Sequence, residues 1–237
     1  MRTFPETAPR LAPSAVGFDH NKVIATAARA KLRPLGFKQR GRSRTWLADH
    51  GWWLAVVEFQ ASQWSRGSYL NVGAMWLWQP VPQSSPYPDV YRRIDEAGYV
   101  EASDEENFTQ AGSQLAEIAA REAQRLRGAV SDDAAALALI LDSDPGAAVR
   151  HPDLHAGITA GRLGRWDEAE QQLAVFVRRA ARHEASYPDA DVSMLSAQRT
   201  AVEKLCPLIG TDDFSHTVSK WIAKQREWLR LPEGQAQ

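Results

Sequence analysis

Residues 52–78, WWLAVVEFQASQWSRGSYLNVGAMWLW, constrain this chain more than any other stretch. Side-chain character alternates through two runs, 52–62 and 68–78, with a polar link from Gln63 to Gly67 between them. A period of two marks a strand, and a link this short joins antiparallel neighbours. The stretch holds Trp52, Trp53, Trp64, Trp76 and Trp78, five of the nine tryptophans. Trp53, Ala55, Val57 and Phe59 share one face of the first run; Leu70, Val72, Ala74 and Trp76 share one face of the second. Both sets are apolar, so helices should cover them. The opposite faces are mixed: Trp52, Leu54, Val56, Glu58 and Gln60 on one strand, Tyr69, Asn71, Gly73, Met75 and Leu77 on the other. Such a sheet has a core on one side and room for a site on the other.

The flanks supply the helices. Val23, Ile24, Ala27, Ala30, Leu32 and Leu35 predict a helix from Asp19, ended by Pro34 and Gly36. RSRTWLA, 42–48, reads as a strand leading into a compact Asp49-His50-Gly51 turn. Four prolines make 79–90 a long loop. Ser103 and Glu106 form a capping box before a helix striped with Phe108, Ala111, Leu115, Ile118, Ala119, Ala123 and Leu126. A short helix through Leu141 is stopped by Asp144-Pro145-Gly146, and 151–231 reads as helical. Within it, G-R-W-D-E-A with Ala169 and Leu173 resembles the middle of a tetratricopeptide hairpin, without a second copy at the repeat spacing. Amphipathic helices follow near 190–207 and 212–230, the last with Phe214, Val218, Trp221, Ile222, Trp228 and Leu229 on one side. The expected fold is α+β: an antiparallel three- to four-stranded sheet packed on helices, then an all-helical C-terminal segment. The organisation reads as a flexible tail (1–14), an α+β domain (15–130) and a helical segment (131–237) docked on it.

Composition narrows the function classes. A net charge of −1 leaves no global electrostatic footprint for nucleic acid. The basic run from Lys31 to Arg44 reads as a solvated strand edge. Cys206 is the only cysteine, so an intramolecular disulfide is impossible; with Val202, Leu205 and Ile209 it reads as a small core residue. The N-terminus lacks the apolar stretch of a signal peptide, and AAALALIL is too short to span a membrane. The chain therefore reads as cytoplasmic, and its alanine and arginine usage as bacterial. His151 and His155 have i,i+4 spacing but no obvious third ligand, so they read as one surface and one partly packed histidine. Gly157, Gly161 and Gly164 read as packing or turn glycines. No cofactor fingerprint is present, and no cofactor or metal is expected.

Turn lengths give an estimated register. If Ala48 pairs with Trp52, Arg42 falls opposite Glu58; if the second hairpin centres near Ser65-Arg66, Gln60 falls opposite Asn71 and Glu58 opposite Gly73. Arg42, Glu58, Gln60 and Asn71 then cluster at one end of the mixed face, with Tyr69 near and Trp46, Leu54 and Met75 lining the rest. Gly73 would leave space beside Glu58. The candidate binding face is Arg42, Trp46, Trp52, Glu58, Gln60, Trp64, Tyr69 and Asn71. Glu58-Phe59-Gln60 also matches the E-x-Q variant of a restriction-type nuclease strand, which would use the Glu58 carboxylate on a metal. The preceding strand offers no second acid, and a lone acid is thin for Mg²⁺.

LRPLGFKQRGRSRTW followed by VVEFQASQWSRGSYLNVGA resembles the bacterial "domain of unknown function 4304" family over roughly residues 20–130. Leu32, Gly36, Phe37, Lys38, Gly41, Trp46, Gln60, Ser62, Trp64, Asn71 and Gly73 match in order. That family more often carries a small polar residue where Glu58 stands, so the resemblance implies no role for this carboxylate. It implies a fold and no activity. The expected function is non-catalytic binding of a protein partner, such as toxin neutralisation or defence; the alternative is a metal-dependent nucleic-acid-processing enzyme.

Overall fold

The computed structural model describes residues 18–62, 67–101, 104–141, 148–187 and 191–232. The tail 1–14, Trp64, Ser103 and the Asp144-Pro145-Gly146 stop lie outside the described residues. Helix α1 (His20–Leu32) begins at Asp19, whose carboxylate accepts the Asn21 and Lys22 backbone N–H groups. A 3-10 turn with Pro34 ends it, closed by Gly36 at φ +88°.

The described residues form seven antiparallel strands: β1 (Lys38–Gln39), β2 (Thr45–Asp49), β3 (Trp53–Ala61), β4 (Gly67–Trp76), β5 (Val90–Arg93), β6 (Val100–Glu101) and β7 (Ala148–Val149). Their order is β1-β2-β3-β4-β5-β7, with β6 beside the start of β4. The sheet is thus larger than the three or four strands expected. β1, β6 and β7 are two residues each, too short to show a period, and β5 emerges from the end of the proline-rich loop.

Six more α-helices lie among the described residues: α2 (Glu105–Ala129), α3 (Asp133–Leu141), α4 (Pro152–Arg162), α5 (Trp166–Ser186), α6 (Ser193–Leu205) and α7 (Asp212–Trp228). Asp104 caps α2 by accepting the Asn107 N–H at 2.8 Å. Trp53, Ala55, Val57, Phe59, Leu70, Val72, Ala74 and Trp76 form the sheet side of one large core, with Ile24 and Leu32 of α1 and Phe108, Leu115 and Ala119 of α2 in the same cluster. Leu154, Leu173, Val202 and Phe214 carry this core into the C-terminal helices. A Cβ on Gly157 would stand 2.6 Å from Leu173 Cγ, and one on Gly161 2.3 Å from Phe214 Cζ. Both glycines therefore let α4 approach its neighbours closely. Trp228 is not packed with the stripe of α7; it is 56% exposed, and Gln225 takes the buried position instead.

Candidate functional site

The mixed face is set by two hairpins. In the first, Gly51 adopts φ +83°, Asp49 Oδ1 accepts the Gly51 N–H at 2.9 Å, and His50 N–H donates to Trp53 O at 3.0 Å. The turn is therefore tighter and later than Asp49-His50-Gly51, and Ala48 pairs with Ala55, Thr45 with Glu58. The expected Ala48–Trp52 pairing is off by three residues. An odd slip turns a strand over. Trp46 consequently faces the core at 1% exposure, while Thr45, Leu47 and Asp49 join the mixed face. Arg42 lies in an exposed turn before β2 and does not reach Glu58 by strand pairing. Trp52 also leaves the mixed face: its ring stacks on Trp76 (5.8 Å, 12°) and Trp78 (5.2 Å, 9°).

The second hairpin is off by two, an even number, so its faces stand as expected. Glu58 pairs with Asn71 and Gln60 with Tyr69. Val56, not Glu58, lies opposite Gly73. The space expected at Gly73 is filled: a Cβ there would stand 2.3 Å from Val90 O and 2.7 Å from Pro88 Cβ.

Two different structures cover parts of this face. At the apolar end, Leu54, Val56, Met75 and Leu77 form a small second core with Ile222 of α7 and with Leu229 and Leu231 just beyond it. Arg226 anchors that cover through two 2.8 Å contacts to the Asp49 carboxylate and a 2.8 Å bond to Gly51 O. Burial alone would raise the Asp49 pKa; the hydrogen bonds from Arg226 and the Gly51 N–H outweigh it, and the net shift is downward. Across the middle runs the proline-rich loop. Gln83 N–H donates to Gln225 Oε1 (2.8 Å), Pro88 covers Gly73, and Ser84 O and Ser85 Oγ accept from Arg40 (3.1 and 3.2 Å).

The polar end remains. Register places Thr45, Glu58, Asn71 and Arg93 in one row across β2, β3, β4 and β5. Asn71 is 1% exposed and organises the row. Its Nδ2 donates to Glu58 Oε2 (3.2 Å) and Gln60 Oε1 (3.0 Å), and its Oδ1 lies 3.5 Å from Arg93 Nε. Arg93 Nη2 donates to Gln60 Oε1 at 2.7 Å, and its guanidinium sits 4.4 Å from the Tyr69 ring centre. Tyr99 packs against Tyr69 at 5.0 Å. Partial burial pushes the Tyr91 phenol above its ordinary pKa, with neighbouring Arg93 pulling the other way. Glu58, Gln60, Tyr69 and Tyr91 are half-buried and Arg93 is exposed. Of the residues expected at the site, Glu58, Gln60, Tyr69 and Asn71 come together; Arg42, Trp46 and Trp52 do not; Trp64 is outside the described residues. Arg93, Tyr91 and Tyr99 were not anticipated, although the alternation V-Y-R-R after the loop was a signal.

Glu58 has no acidic neighbour in its own row or in the rows beside it, which hold Leu47, Val56, Gly73 and Tyr91 on one side and Gln60 and Tyr69 on the other. Among the described residues, no group of three or more His, Cys, Asp and Glu could hold a metal ion. His155, expected to be partly packed, is 1% exposed. Trp78 Nε1 donates to its Nδ1 at 3.2 Å, which leaves Nε2 to carry the proton 3.3 Å from Asp89 Oδ1. Asp89 Oδ2 accepts the Trp76 N–H and Gln79 Nε2, both at 2.9 Å. This buried network ties the loop to α4 and opens onto no site. Surface hollows elsewhere among the described residues include one of about 240 Å³ by His151, Phe176 and His183 and one of about 550 Å³ between α1 and α2.

The fold and site define an α+β protein whose sheet is sealed on one face and partly open on the other. Residues 28–91, from the end of α1 into β5, match the family model described as Domain of unknown function (DUF4304). That span is shorter than the 20–130 suggested by the motif order, stopping before α2. Its motif positions have physical roles here: Gly36 and Gly41 adopt positive φ, Phe37 is buried, Asn71 organises the polar row and Gly73 admits Pro88. No curated protein and no solved structure matches the chain.

Proposed function

We propose that this chain is a non-catalytic binding protein of a bacterial cytoplasm and that it holds a protein partner on the polar end of its sheet, in the manner of a toxin-neutralising or defence-associated protein. One observation carries the reading. The same face is sealed by α7 over Leu54, Val56, Met75 and Leu77, yet left half-open where Arg93, Tyr69, Gln60 and Glu58 are held together by hydrogen bonds. Tyrosine and arginine dominate binding hot spots, and pre-positioned side chains lose less entropy on binding. Glu58, engaged by Asn71 and without a nearby second acid, gives little support to two-metal hydrolysis.

A photo-crosslinking residue at Tyr91, introduced in the source cells, tests this. The expected product is one stoichiometric partner, captured there and lost on Tyr69→Ala or Arg93→Ala while the fold persists. Mg²⁺-dependent cleavage of DNA or RNA by the purified protein, abolished by Glu58→Gln, would overturn the binding reading.

A further inference from the structure

From Arg93 a run of rings and guanidinium groups extends back along β5 and onto the proline-rich loop. The Arg150 guanidinium lies 5.0 Å from the Tyr87 ring centre, and Tyr87 stacks on Tyr91 at 6.4 Å and 19°. Arg93 follows beside Tyr91 and sits over Tyr69, which packs on Tyr99. Tyr87 is 53% exposed. These contacts orient both arginines without neutralising them. Neither forms an ion pair among the described residues, whereas Arg121, Arg162, Arg179, Arg199 and Arg226 all do. The partners of Arg93 are the amide oxygens of Gln60 and Asn71, the Tyr91 phenol and the Tyr69 ring face; the partner of the Arg150 guanidinium is the Tyr87 ring face. Two oriented guanidinium groups therefore stand at the two ends of this run, Arg93 in the row of Glu58 and Arg150 beside Asp89, neither with an ion-pair partner among the described residues.

We infer that this run of tyrosines and arginines binds an acidic peptide segment, whose side-chain carboxylates dock on Arg93 and Arg150 while its apolar stems lie against Tyr87, Tyr91 and Tyr69. The inference rests on the reading of this face as the binding surface and supplies the chemistry of the partner. A guanidinium matches a carboxylate through two parallel hydrogen bonds, which fixes orientation as well as affinity. Discrete carboxylates suit the face better than a nucleic-acid backbone. Glu58 and Glu101 share it, and the chain carries a net charge of −1, so a continuous cationic track for phosphates does not form.

Fluorescence anisotropy with labelled oligoglutamate, oligolysine and oligothymidylate decides the matter. Oligoglutamate should bind saturably and weaken with added salt. Arg93→Gln and Arg150→Gln should each weaken it about tenfold, as expected for losing a hydrogen bond to a charged group. Arg93→Lys should recover only part, because charge returns without the planar fork. Circular dichroism should show all three variants folded. Absence of oligoglutamate binding, binding indifferent to both substitutions, or tighter binding of oligothymidylate would each overturn the inference. The crosslinking experiment at Tyr91 keeps the two readings apart: a partner captured there through a segment without acidic residues sustains the binding face and overturns the acidic-peptide assignment.

Discussion

Replacing Gln225 with alanine tests how α7 is held over the sheet. Gln225 is fully buried and satisfies both backbone polar groups of one residue: Nε2 donates to Gln83 O at 2.9 Å and Oε1 accepts the Gln83 N–H at 2.8 Å. Gln83 is itself only 8% exposed, so the truncation leaves two backbone groups buried and unpaired. Each costs about 1–3 kcal/mol. The lost contacts of the side-chain stem add about 1.5 kcal/mol, and side-chain entropy released by the truncation returns a similar amount. The net loss should be about 4 kcal/mol, a large share of the roughly 5–15 kcal/mol that holds a typical domain folded. With a urea dependence of about 3 kcal/mol per molar, the unfolding midpoint should fall by about 1 M or more. Gln225→Met separates the contributions, since it keeps the stem and removes only the hydrogen bonds; it should lose most of what alanine loses. Hydrogen exchange should show the amides of α7 opening before those of β3 and β4. A Gln225→Ala protein within about 1 kcal/mol of the parent, at unchanged urea dependence, would refute the claim that this bidentate pair fastens the helix.

Two further perturbations follow from the same geometry. Gly73→Ala should destabilise by about 1–3 kcal/mol in thermal or urea unfolding, because its Cβ would meet Val90 O at 2.3 Å and Pro88 Cβ at 2.7 Å, neither of which is the far end of a flexible side chain; an unchanged midpoint would mean that the loop lifts freely. Burial drives the His151 pKa down to about 4, helped by repulsion from His155 and Arg150, so the folded state binds fewer protons than the unfolded state between that value and the ordinary histidine range. Stability should therefore fall as pH drops from about 6.5 toward about 4, and His151→Asn should flatten that slope in urea midpoints measured against pH. Asparagine also tolerates the positive φ of 48° at this position.

The core of the sheet was readable because β3 and β4 alternate over nine and ten residues, long enough for one face to declare itself apolar. Register was not, since it depends on which residues the turn consumes. An error of two in the β3–β4 hairpin left Glu58, Gln60, Tyr69 and Asn71 on their common face, merely changing which of them are opposite. An error of three in the β2–β3 hairpin moved Trp46 into the core and put Thr45 where Arg42 was expected. The buried polar pairs depend on contacts no local pattern encodes: Gln225 and Gln83 are 142 positions apart, and Trp78 and His155 are 77 apart. Gln225 did leave a trace, as a polar residue at helical spacing between Ile222 and Leu229 on an apolar stripe.

The turn that defeated the register estimate also sets the limit of the site. Because Gly51 closes the hairpin late, Asp49 rather than Ala48 projects on the mixed face, next to Leu54. That carboxylate is what Arg226 grips, and the grip anchors the end of α7 at the apolar extremity of the sheet. From there the helix and the residues after it cover Leu54, Val56, Met75 and Leu77, and the proline-rich loop covers Gly73 beside them. The cover ends at Val56, two residues before Glu58, so the row of Glu58, Asn71 and Arg93 is the first one beyond it. Where the open face begins is thus decided at the opposite end of the sheet, by a glycine with positive φ and the aspartate it releases to α7.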